Sequence, residues 1–100
     1  MLTLIKYEIM IVLTENFVDN ELKTWAFNYA KLLRKLNAKE ISVISRGKRD
    51  LAYGIKNQSK GNYIQINFSS TSGFIKDFRN KLKFDSNVLR FLVINKNLEN

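Results

Sequence analysis

An α+β sandwich, with two helices laid on one face of a four-stranded antiparallel sheet, is the fold that this 100-residue chain predicts. Three observations lead there. Apolar residues alternate with period two in four stretches, which begin near Ile5, Glu40, Tyr63 and Val88. In the two stretches led by Val18 and Phe74 they recur instead at three- and four-residue steps. The resulting order is strand, helix, strand, strand, helix, strand, the split βαβ pattern of ferredoxin-like sandwiches.

In the first strand Ile5, Tyr7, Ile9, Ile11 and Leu13 form one face, and Met10 and Val12 make the other partly apolar. Apolar character on both faces places a strand in the middle of its sheet. Asn16 or Asp19 is expected to cap the first helix. Val18, Leu22, Trp25, Ala26, Tyr29, Leu32, Leu33 and Leu36 then form a stripe over about five turns. Trp25 on that stripe reads as core. Lys31, Arg34 and Lys35 suit the negative end of the helix, and Asn37 suits a left-handed exit.

The second strand carries Ile41 and Val43 and runs to about Lys56, bent at Gly47. Asn57 to Asn62 is polar, contains Gly61 and reads as a hairpin connection. Ile64, Ile66 and Phe68 share one face of the third strand, and Tyr63, Gln65 and Asn67 the other. Ser69 to Ser72 supply caps for a second helix bearing Phe74, Ile75, Phe78 and Leu82. Asp85-Ser86-Asn87 breaks that helix, Val88 to Ile94 forms the last strand, and Asn95 to Asn100 is expected to fray. A chain of this length forms one domain, with its ordered core at about 5–95.

Seventeen basic residues against nine acidic ones leave a net charge of +8, a balance that favours polyanions and nucleic acid above all. The chain has neither cysteine nor histidine, which removes disulfides, thiolate nucleophiles and the usual zinc ligands. It also removes the side chain best suited to acid–base work near neutrality. With no phosphate-binding loop, dinucleotide turn or metal spacing, no enzyme, cofactor or small-molecule substrate is expected. No apolar run approaches the roughly 20 residues that span a bilayer, so no membrane partner is expected. Met1 to Ile5 run straight into the strand pattern without a targeting segment, and the protein is expected to work where it is made. Frequent Asn, Lys and Ile point to an AT-rich genome.

Three groups of residues are candidates for a binding surface. Arg46, Lys48 and Arg49, extended by Lys56 and by Lys6 on the first strand, form a basic corner suited to RNA phosphates. A solvated rim that discourages edge pairing explains the same residues. Lys81, Lys83 and Arg90 flank the turn into the last strand. Helix-dipole complementarity accounts for the two lysines, whereas Arg90 lies among apolar residues and reads either as an open-face contact or as a snorkelling edge residue. Tyr7, Tyr53 and Tyr63 read as packing or as contacts with a partner across the open face. Lys60 to Phe68 superficially resembles the RNP1 strand of an RNA-recognition motif. Asn62 and Ile64 stand where that module stacks bases on aromatics, so its platform is absent.

Gly47-Lys48-Arg49-Asp50-Leu51-Ala52-Tyr53-Gly54-Ile55-Lys56 resembles the G-x-K/R-x-L-A-Y-x-I-K segment of the bacterial-type small-subunit ribosomal protein six family. Tyr7 to Leu13 resembles that family's opening strand. Gly61-Asn62-Tyr63 and Asn87-Val88-Leu89-Arg90 stand where it has G-x-Y and N-V-x-R. The resemblance runs in order from Ile5 to Lys96. It implies a structural constituent of the small ribosomal subunit. Such a protein binds the central domain of small-subunit ribosomal RNA together with small-subunit ribosomal protein eighteen. On this reading Lys6, Arg46, Lys48, Arg49, Lys56 and Arg90 are the RNA-binding residues. With the composition it implies an organelle-encoded protein of the plastid (chloroplast) stroma, the bacterial cytoplasm being the alternative. Many relatives carry further arginines where this chain has Ile5 and Leu89, which implies thinner RNA contact there and more affinity through the partner. Two other readings stay open: an interaction module that dimerises through its sheet, and a small phosphate-ester or acylphosphate hydrolase, supported by fold sharing alone.

Overall fold

The computed structural model describes residues 4–55 and 58–96. Among them the order is β1 (Ile5–Thr14), α1 (Asp19–Lys35), β2 (Lys39–Ile55), β3 (Gln58–Ser70), a short 3-10 turn (Ser72–Phe74), α2 (Ile75–Lys83) and β4 (Val88–Asn95). The strands form one antiparallel sheet in the order β2-β3-β1-β4, so β1, apolar on both faces, does lie inside it.

Period two then sorts the sheet. Tyr7, Ile9, Ile11 and Leu13 of β1 stand beside Phe68, Ile66, Ile64 and Asn62 of β3 and lie on the helix side. The apolar members of this set join Trp25, Tyr29, Leu33, Phe78, Leu82 and Val88 in one core. Each such side chain, once fully buried, contributes about 1.5–3 kcal/mol. Tyr7 is buried against Phe68 with ring centroids 5.5 Å apart, so it is core and cannot meet a partner on the open face.

Helix α1 is pinned to the turn after α2 by one carboxylate. Asp85 Oδ2 accepts from Trp25 Nε1 at 2.9 Å and from Tyr29 Oη at 2.8 Å, and Asp85 Oδ1 accepts from the Asn87 backbone amide at 2.9 Å. Burial first, then the bond to Asp85 and its charge, push the Tyr29 phenol well above its ordinary pKa, so the ring stays neutral.

Several local expectations need correction. The residue flanking the start of α1 is Val18, not Asn16 or Asp19; its amide donates to Glu21 Oε1 at 3.3 Å, so an acid inside the first turn satisfies the helix entry. Ser69 and Ser70 belong to β3, and Phe74 precedes α2, which is entered through the 3-10 turn without a side-chain cap. Residues 58–62, read as hairpin connection, extend β3. Pairing of Ile55 with Gln58 leaves only two residues between the strands, and these, with Lys56 among them, lie outside the described residues. Asn95 is in β4, and 97–100 also lie outside the described residues. Asn37, at φ 65°, takes the expected left-handed exit.

Candidate nucleic-acid and partner interface

The helices cover one side of the sheet, and the other carries the alternate set of side chains. Its geometry begins with a bulge. Ser45 pairs with Ile64 and Gly47 with Tyr63, so Arg46 is the extra residue and the phase of β2 changes there. Gly47 accommodates the bend at φ 88°, a conformation that other residues adopt only at a cost. Beyond it Lys48 pairs with Asn62 and falls on the helix side, whereas Arg49 pairs with Gly61 and falls on the open side. The predicted basic corner is therefore divided between two faces.

Arg46 and Arg49 differ in a second way. Arg46 donates from Nε at 3.0 Å and Nη2 at 2.6 Å to Gln65 Oε1. Gln65 Nε2 in turn donates to Glu8 Oε1 at 3.2 Å and Asn67 Oδ1 at 3.1 Å, and Glu8 meets Lys96 Nζ at 3.8 Å. This chain of polar contacts links β2, β3, β1 and the end of β4. Arg46 therefore serves the sheet directly, while its exposed guanidinium keeps further donors. Arg49 instead lies over the Tyr63 ring, 5.5 Å from its centroid, in cation–π geometry that leaves the guanidinium edge open.

Beside that pair lies an apolar patch. Val12 stands between Tyr63 on β3 and Arg90 on β4, and Met10 between Gln65 and Leu92. Met10, Val12, Tyr63, Arg90 and Leu92 line a shallow cavity of about 360 Å³, and Leu92 is 61% exposed. A Cβ on Gly61 would stand 2.5 Å from Val12 Cγ1 and 3.2 Å from the Leu13 carbonyl oxygen, with Leu51 Cδ2 at 3.6 Å. The missing side chain is what lets Val12 and Leu51 close over the strand. Arg90 is thus on the open face, in the same cross-strand row as Tyr63 with Val12 between them. Lys6, at the opposite end of β1, pairs with Ser69 near the polar chain. The Tyr53 side chain lies outside the described set.

Chemically the face offers an apolar strip in which Val12 is buried, Met10 and Tyr63 are half-buried and Leu92 is exposed, with two arginines at its margin and a polar end already hydrogen-bonded within the sheet. Among the described residues no group of three metal-ligating side chains converges. None of the described helices is long and apolar enough to cross a membrane.

Residues 6–95 match the family model described as ribosomal protein S6. The chain belongs to the ribosomal protein S6 family. It is 72% identical over 91 residues to small ribosomal subunit protein bS6c of Trieres chinensis, covering 91% of this chain and 95% of that one. With bS6c of Phaeodactylum tricornutum it shares 67% over 93 residues, covering 93% and 95%. Against bS6 of the bacterium Trichormus variabilis identity falls to 32% over 88 residues, covering 88% and 82%. In fold it is similar to the crystal structure of 30S ribosomal protein S6 from Thermotoga maritima, with a TM-score of 0.85 at 22% identity over 93% of this chain and 88% of that one.

The chain is accordingly a structural, non-enzymatic component of the small ribosomal subunit, and the hydrolase reading falls. Its similarity to bS6c proteins of diatoms and other algae supports a plastid location, with bacterial members as the alternative.

Proposed function

We propose that this S6-family chain binds the central domain of small-subunit ribosomal RNA together with small-subunit ribosomal protein eighteen. The observation that carries the reading is the row Arg90, Val12, Tyr63 with Arg49 laid over the tyrosine ring: an apolar strip rimmed by guanidinium groups on an uncovered sheet. The strip suits a protein partner, since aromatic and apolar side chains give such contacts their core. The arginines suit phosphates, where bidentate donation fixes register without reading bases. Lys6, Lys48 and Lys56 complete the proposed RNA set, Lys48 from the helix side. Recognition is then of RNA shape.

Binding of the full chain to a central-domain RNA fragment, titrated with salt in the presence and absence of protein eighteen, tests this. The expected result is binding that the partner tightens, with log K falling against log salt by about 0.7–0.9 per phosphate neutralised. A protein that ignores the fragment in both conditions and self-associates instead would establish the dimeric module.

A further inference from the structure

The helix layer, on the side of the sheet away from the proposed interface, holds a second concentration of positive charge. Lys31 and Lys35 project from one face of α1 at i and i+4, and Lys81 comes from the last turn of α2. With Asn28, Tyr29 and Leu32 they line a cleft of about 290 Å³ between the helices. All three lysines are exposed, and no acid is among the lining residues. Among the described residues none of the three forms an ion pair.

Helix-end electrostatics accounts for cations at the end of their own helix. It does not account for lysines of two helices meeting over one cleft. The convergence is built in by the core: Tyr29 Oη lies 3.5 Å from the Lys81 carbonyl oxygen and bonds to Asp85, which fixes the end of α2 against the middle of α1. Like charges at i and i+4 oppose helix formation, so the arrangement is mildly unfavourable for the free protein. A bound phosphate removes that repulsion.

Resting on the RNA-binding reading above, we infer that this cleft is a second phosphate-backbone contact, so that the protein is held by RNA on both sides of its sheet. The occupant is a phosphodiester segment: three flexible point charges around an open groove fit phosphate oxygens and supply no pocket for a base.

The test uses the full chain with protein eighteen and the same RNA fragment. Lys31→Gln/Lys35→Gln/Lys81→Gln is compared with the triple Lys→Arg variant and with Arg49→Ala/Arg90→Ala. The glutamine variant should lose affinity severalfold and lower the salt slope by about 0.7–0.9 for each phosphate it no longer neutralises, and the arginine variant should restore both. In the assembled complex Lys31, Lys35 and Lys81 should be shielded from an amine-acylating reagent until the RNA is digested, while Lys76 at the start of α2 reacts throughout. If the glutamine variant binds with native affinity and slope while Arg49→Ala/Arg90→Ala binds poorly, the cleft carries no RNA and the proposed function stands without it. Shielding that survives RNA digestion would assign the cleft to a protein and overturn the inference. Failure of the unaltered chain to bind the fragment overturns both readings.

Discussion

The two faces of the sheet are built from the same strands, yet they treat polar groups in opposite ways. On the helix side Trp25 and Tyr29 turn their polar tips onto Asp85, which also receives a backbone amide. Partial burial makes the two side-chain bonds costly to break. On the open side the chain from Arg46 through Gln65 to Glu8 and Lys96 ends in exposed residues, Arg90 stands near exposed Leu92, and Arg49 lies over Tyr63. The difference separates what holds the fold from what is offered outward: a group tied off inside is structural, and a charge left at an apolar rim is open to contacts outside the chain.

Mutations measured on both scales, stability and assembly, sharpen that division. Trp25→Ala empties a buried site and leaves Asp85 one donor short, so it should cost about 3–5 kcal/mol in chemical denaturation. A loss under about 1 kcal/mol would place the indole outside the core. Gly61→Ala drives a methyl group into Val12 and the Leu13 carbonyl, and about 1–3 kcal/mol should disappear from the same measurement. An unchanged midpoint would mean that the strands separate there freely.

Tyr29→Phe removes one bond to Asp85 and should cost about 1–2 kcal/mol at neutral pH. It should also alter the alkaline limb. The folded chain holds the Tyr29 proton more tightly than the unfolded chain, so this stabilisation is complete below about pH 10 and is lost as pH rises toward the raised value. The phenylalanine variant should therefore decline less steeply above about pH 10; parallel curves would show that Tyr29 titrates normally. The smallest change in stability, within about 0.5 kcal/mol, is expected for Arg49→Ala and Lys48→Ala. They should part company in RNA assembly, where the open-face Arg49 should matter more. The reverse ranking would move the interface to the hairpin's other side.

The order of elements along the chain, the interior place of β1, the inward faces of β1 and β3 and the bend at Gly47 are readable from periodicity and glycine placement. Three things are not. Period two alone separates Lys48 from Arg49, but which of them takes the open face depends on the unpaired Arg46, and a sequence does not say which residue of a bulge is the extra one. The length of β3 is hidden because Gln58 to Lys60 lacks strand propensity and is held by pairing with β2. Asp85 reads as a helix breaker, since its partners lie 60 and 56 residues away. A signal does exist: Trp25 and Tyr29, four apart on a buried stripe, each need an acceptor for a polar tip. Period two also places Tyr7 with Ile9 and Ile11, and that periodicity outweighs the hydroxyl as a guide to its side of the sheet.

The position of β1 has a consequence for how the chain comes into being. The first strand to be synthesised lies between β3 and β4, and Ile5 pairs with Ser70 while Tyr7 pairs with Asn95. Contacts this distant in sequence are entropically late to form. During translation, therefore, β1 can pair along one edge only once β3 has been made, and its other edge stays open until β4 follows. The centre of the sheet is thus completed last on its β4 side rather than growing from the N-terminus. A nascent chain cut short before β4 would carry a central strand with an unpaired edge, a form prone to aggregation and to capture by chaperones.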